Sequence, residues 1–141
     1  MVLLAGGAAD APARTPAPVV FGGLTPQQWP VVVEISADRR KVVRAAIGLP
    51  VTCTSGGSGY YSDQYKRVPL RKGRFQASFN GDRVTHADGT YDVFQGSVKG
   101  STNASRTVMS GTWQLKLVAY DAAGAEIDRC DSGVVKWRAK Q

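Results

Sequence analysis

The chain has 141 residues, 43% of them hydrophobic and 9% aromatic. This fits one globular domain with its own core and excludes a disordered chain or two ordinary domains. Its 18 Lys and Arg outnumber 11 Asp and Glu, a net charge of +7, and its single histidine excludes a histidine-rich zinc or copper site.

Residues 1–18, MVLLAGGAADAPARTPAP, differ sharply in composition from the remainder of the chain. Val2, Leu3 and Leu4 resemble the end of a secretory apolar region, and Ala9-Asp10-Ala11 and Ala11-Pro12-Ala13 offer the small-residue spacing of a cleavage site. Pro12, Pro16 and Pro18 favour an extended, solvated tail. The segment therefore reads as a flexible leader or signal-peptide remnant, with a single domain over residues 19–141. No stretch approaches the ~18 consecutive apolar residues of a membrane helix.

Period-two alternation begins at Trp29, with Trp29, Val31, Val33 and Ile35 on one face and Glu34 and Ser36 on the other. Residues 37–40 read as a turn and Val42 to Ile47 as the returning strand. Gly48-Leu49-Pro50 should break or bend that strand before Cys53. Residues 66–74 read as a long basic loop. Phe75, Ala77 and Phe79 alternate cleanly, and Asn80-Gly81-Asp82 should end their strand with turn chemistry. The next strand spans Thr90 to Lys99. Over Gly111 to Tyr120, Trp113, Leu115, Leu117 and Ala119 point inward, with Gln114 and Lys116 outward. Asp121 to Gly124 is a hairpin connection, and the last strand sets Val135, Trp137 and Ala139 against Lys136, Arg138 and Lys140. The expected fold is all-β, an antiparallel sandwich or closed barrel of about seven or eight strands.

Cys53 and Cys130 lie 77 positions apart, in no Cys-x-x-Cys and near no metal-binding cluster. One structural disulfide is the simplest reading, two buried free thiols the other, and a bridge would place the protein in an oxidising compartment.

Several of these features recur together. Gly23-Leu24-Thr25, Gln27 and Pro30 precede the first expected strand, and Cys53 comes after a hairpin strand. Phe75, Ala77 and Phe79 form the middle strand, and Cys130, Gly133, Val135, Trp137 and Ala139 close the chain. Over about residues 22–139 the arrangement resembles a group of small secreted β domains of actinobacteria and related soil bacteria that carry no assigned chemistry. The resemblance implies export, an all-β fold and a Cys53–Cys130 bridge. It brings no catalytic residues and no cofactor. The basic stretch at 66–74 departs from it.

Signatures of catalysis are sparse. Gly56-Gly57-Ser58-Gly59 fails as a nucleophile elbow because Tyr60 occupies the last position. There is no P-loop and no G-x-G-x-x-G. Glu34 and Glu126 are the only glutamates, and neither reads as half of a glycosidase pair. Asp88 to Asp92 lacks the spacing of an EF-hand, so no metal site is expected. Asn103-Ala104-Ser105 is formally a glycosylation sequon, which in an exported bacterial-type domain reads as coincidence. His86 lies in the polar stretch 82–89 and reads as a solvated loop residue. A small secreted hydrolase using His86 with Asp82 or Asp88 is the enzymatic alternative.

Recognition chemistry concentrates in residues 55–74. Tyr60, Tyr61 and Tyr65 offer rings that stack on sugars or bases. Lys66, Arg67, Arg71, Lys72 and Arg74 would attract an anionic polymer. The competing reading has the tyrosines covering the open end of the sandwich. The expected function is a secreted or cell-surface module, non-enzymatic, that binds an anionic polymer or carbohydrate or serves as structure.

Overall fold

The computed structural model describes residues 11–141. The expected leader's first ten positions, with Val2 to Leu4 and Ala9-Asp10 of the first cleavage-like triplet, lie outside the described residues. Residues 11–18 carry no strand and are exposed, and the first strand starts at Val19.

Nine strands and no helix make up the described chain. They are β1 (Val19–Leu24), β2 (Pro30–Ile35), β3 (Lys41–Cys53), β4 (Ser58–Pro69), β5 (Arg74–Thr85), β6 (Tyr91–Thr102), β7 (Val108–Tyr120), β8 (Glu126–Asp131) and β9 (Val135–Lys140). All ladders are antiparallel within one sheet of order β4-β3-β2-β1-β9-β7-β6-β5, and β8 pairs with both β3 and β7. The path β3-β2-β1-β9-β7-β8 thus returns to β3, while β4, β6 and β5 extend beyond that ring. The result is neither a clean barrel nor two separate sheets.

The additional strands have specific causes. The sequence Val19–Leu24 contains Gly22 and Gly23, which hide its alternation, yet it lies between β2 and β9. Cys130 is the penultimate residue of the short strand β8, which is separate from the last strand. β3 runs unbroken through Gly48-Leu49-Pro50. Pro50 falls between the β2 ladder, which ends at Ile47, and the β8 ladder, which starts at Thr52, so its missing amide donor breaks neither pairing. β5 likewise passes through Asn80-Gly81-Asp82 by a bulge at Gly81, with φ of 93°, and continues to Thr85.

The core fills the space between the sheet's inner faces, with Trp113, Phe21, Ile35, Leu49 and Met109 fully buried. The alternations expected for β7 and β9 hold, with Trp113, Leu115, Leu117, Val135, Trp137 and Ala139 inside. Two glycines of β6 make room for aromatic rings. A Cβ at Gly100 would overlap the rings of Phe75 and Trp137, and one at Gly96 would meet Phe79 and Tyr65.

Cys53 and Cys130 are bonded and are also cross-strand partners in the β3/β8 ladder, which contains only two residue pairs. A carboxylate latch supports this seam. Thr54 donates its hydroxyl to Asp128 at 2.8 Å, and Ser55 donates its backbone amide at 3.1 Å and its hydroxyl at 2.6 Å. These donors, Ser55 foremost, hold the Asp128 carboxyl down to about 2.

Closing a loop of this length restricts the unfolded chain by roughly 4–5 kcal/mol in the loop-entropy model. Reduction should therefore lower the melting temperature strongly, and intact-mass alkylation should find two thiols only after reductant; thiols labelled in the denatured, unreduced protein would contradict the bridge. Gly100→Ala should destabilise by about 1–3 kcal/mol in urea unfolding, because the methyl forces Phe75 and Trp137 from their seats.

Candidate functional site

The stretch expected to combine tyrosines and cations is not a loop. Residues 58–69 are β4 and pair along β3, and Arg74 already belongs to β5. Strand alternation therefore divides the three tyrosines. Tyr61 and Tyr65 point inward, where Tyr61 meets Phe94 at 5.6 Å and Tyr65 meets Phe79 and Trp113 at 5.7 and 5.5 Å between ring centroids. Tyr60 points outward. The two inner rings are core, so a platform of three coplanar tyrosines does not exist.

Asp63 stands between those inner tyrosines on the same face and is only 9% exposed. Trp113 donates its indole Nε1–H to Asp63 Oδ2 at 2.6 Å. Burial raises the Asp63 carboxyl above the usual carboxylate range, against the lowering effect of the Trp113 and Gln64 donors, and Asp82 across the gap raises it further. The Tyr65 hydroxyl is buried without a hydrogen-bond partner, and burial, Asp63 and Asp82 all push it upward. These groups occupy the interval between β4 and β5, the two ends of the sheet path, which no strand ladder joins.

The cations divide as well. Lys66 and Arg67 lie on β4, with Lys66 opposite Arg44. Arg71 and Lys72 form the tight turn into β5, bridged by Arg71 and Arg74. From there the basic surface continues onto strands remote in sequence. Register aligns Gln76, Lys99, Thr112 and Lys136 across β5, β6, β7 and β9, and Arg74, Ser101, Ser110 and Arg138 in the next row. At ~4.8 Å per strand, Lys99 and Lys136 stand about 10 Å apart. Residues 71–80, 95–114 and 134–141, which build this face, contain no Asp or Glu. Among the described residues, no salt bridge involves Arg71, Arg74, Lys99, Lys136 or Arg138. A groove of about 620 Å³ runs over Arg71, Arg74, Gln76, Lys99, Ser101 and Thr112.

The chain matches no family model, no curated protein and no solved structure. Its chemistry therefore rests on its own geometry.

His86 occupies the turn between β5 and β6, half exposed, with its Nε2 3.0 Å from Asp92 Oδ2. Its partner is thus Asp92, whereas Asp88 accepts hydrogen bonds from the Thr90 amide at 3.0 Å and hydroxyl at 2.6 Å. No Ser or Thr hydroxyl hydrogen-bonds to His86 among the described residues. Glu34 pairs with Arg44 and Glu126 with Arg129, each within its own surface. Asp128 lies within metal-ligand reach of both cysteine sulfurs, but those sulfurs are bonded to each other and offer no thiolate. In Asn103-Ala104-Ser105 the Asn103 side chain folds into its own turn, accepting from the Thr107 and Val108 amides at 2.9 and 3.0 Å.

The sequence gives no sign of Lys99 as a member of the basic surface and sets Lys136 and Arg138 only on the outer face of the last strand. Alternation in β6 and β9 marks all three as outward, but only strand order makes them neighbours.

A carboxyl held above its ordinary value costs stability as pH rises through the unfolded value, and the cost levels off above the folded value. Asp63→Asn removes that cost. Its melting temperature should exceed that of the unsubstituted chain near pH 7, and the difference should disappear at about pH 3, where both folded and unfolded Asp63 are protonated. Lower stability of the variant at pH 7 would show that the ionised carboxylate is what Trp113 requires.

Proposed function

We propose that this domain is an exported, non-catalytic binding module that holds an anionic polymer at a cell surface, across the outer face of β5, β6, β7 and β9. One observation carries the reading: β5, β6 and β9 present Arg74, Lys99, Lys136 and Arg138 in register, with Ser110 and Thr112 of β7 between them, and the segments that build this face contain no Asp or Glu. Surface cations kept only for solubility are ordinarily interspersed with acids. Here the acids lie elsewhere, several of them in ion pairs with Arg44, Lys116 and Arg129. Ser101, Ser110 and Thr112 lie between the cations and supply hydroxyl donors to phosphate, sulfate or carboxylate oxygens. The Cys53–Cys130 bridge suits an oxidising, exported compartment, as does the resemblance to small secreted bacterial domains.

Such binding is driven by counterion release and weakens as salt rises. With a fluorescent single-stranded oligonucleotide as a phosphodiester probe, log K should fall linearly with log salt. Lys99→Glu with Lys136→Glu should weaken binding at least about tenfold and reduce the slope by roughly 1–2, near 0.7 for each lost contact. Lys66→Glu with Arg67→Glu should leave the slope nearly unchanged. Equal effects of the two pairs would make the attraction a property of net charge and overturn the assignment to this face.

A further inference from the structure

Trp113 and Trp137 are core residues, at 1% and 3% exposure, but Trp29 is only partly buried and is held in place by the turn before β2. Thr25, just 2% exposed, makes this support: its amide donates to the Trp29 carbonyl at 2.8 Å and its hydroxyl accepts from the Trp29 amide at 3.1 Å. The Gln28 amide donates to the Thr25 carbonyl at 2.9 Å, with Gln28 at φ 67°, a left-handed conformation that costs energy for a residue other than glycine. A buried threonine and a strained glutamine thus fix a tryptophan that does not enter the core. The sequence pattern placed Trp29 inward with Val31 and Val33; the tight turn before β2 carries it to the outer face.

The Trp29 ring lies over Gly48 of β3, where a Cβ would stand 3.1 Å from Trp29 Cε3, so no side chain fits beneath it without displacement. Beside it is Tyr60, 68% exposed, with ring centroids 4.6 Å apart and planes at 36°. Tyr60 pairs with Pro50, Ser62 with Gly48 and Gln64 with Ala46, so the outward side chains next to the two rings are a proline, a serine and a glutamine. None is charged. The charges that border this strip are Asp131, opposite Thr52 at one end, and at the other Lys66 opposite Arg44, which is paired with Glu34 at 3.3 Å.

We infer that Trp29 and Tyr60 form a stacking site for an uncharged sugar ring of a polysaccharide. Aromatic faces accept the apolar C–H face of a pyranose, while hydroxyl and amide groups such as those of Ser62 and Gln64 bond its hydroxyls. A neutral occupant fits an uncharged strip on a strongly basic protein. A second copy of the chain fits poorly, since a stable dimer buries ~800 Å² on each partner and this ledge is two rings and a proline with polar neighbours. The ledge lies on β3 and β4, at the other end of the sheet path from the basic face, and the inference does not depend on that face binding anything.

The test uses the full chain with β-1,4-linked hexamers of glucose and of N-acetylglucosamine as probes, in high salt to suppress polyelectrolyte contacts, by calorimetry and tryptophan emission. One of the hexamers should give saturable heat with a blue shift, because Trp29 is the one indole among the described residues that is not buried. Tyr60→Ala should weaken this binding about tenfold or more, the loss expected of one stacked ring, with an unchanged melting temperature. Gly48→Val should weaken it as well by displacing Trp29. Absence of saturable heat from both hexamers at millimolar concentration would overturn the inference, as would undiminished binding by Tyr60→Ala. Sedimentation showing a dimer that Tyr60→Ala dissociates would assign the ledge to self-association and overturn it too.

Discussion

The short seam between β3 and β8 is the constraint on which the rest of the molecule depends. β3 is the hub of one layer, pairing with β2 and β4, and β8 is a flap on β7, which carries β6 and β5. Two residue pairs are a weak ladder on their own, yet they set one layer over the other at this end. The Cys53–Cys130 bond makes that contact permanent, and Asp128 ties β8 to the turn after β3 through Thr54 and Ser55. Val51 and Leu117 pack with Cys130 in a small apolar cluster of their own. The opposite closure, β1 between β2 and β9, relies on ordinary ladders and needs no covalent support.

Closing the ring leaves two long free edges, β4 and β5, which face each other without pairing. Unprotected edges recruit foreign strands, and natural sheets blunt them with charge, proline and bulges. β4 carries the inward-facing Asp63, the left-handed Arg67 and the terminal Pro69, and β5 carries the Gly81 bulge. Asp63 is the costliest of these features because it places a carboxylate beside Tyr65, Phe79 and Trp113. Its indole donor makes it tolerable, and its burial disfavours an additional strand on that edge. These features blunt both edges against strand addition.

Those outer faces differ in chemistry for a simple reason. In a strand every second residue points to solvent, and ladder register brings outward residues from different strands into rows. Rows that collect Lys99, Lys136, Arg74 and Arg138 become an electrostatic surface, and rows that collect Pro50, Tyr60, Ser62 and Gln64 become a neutral one. The same backbone rule thus yields a basic face and an aromatic ledge from strands alone.

Alternation and turn chemistry by themselves determined the all-β class, the inward faces of β7 and β9 and the hairpin at Asp121–Gly124, because each depends on residues close in sequence; with only two cysteines, a single bridge was the simplest reading and the structure decided for it. They misread β1, the passage of β3 through Pro50 and the passage of β5 through Gly81, because glycine and proline signal a break locally while neighbouring strands decide whether a ladder is lost there. The tyrosine cluster was legible as a cluster but not as a core, since whether Tyr61 and Tyr65 face solvent depends on β4 being a strand with Phe79, Phe94 and Trp113 opposite. The basic face and the Trp29 ledge belong to the tertiary structure alone. Their residues come from different strands, and only register and strand order, set by burying the core, make them neighbours.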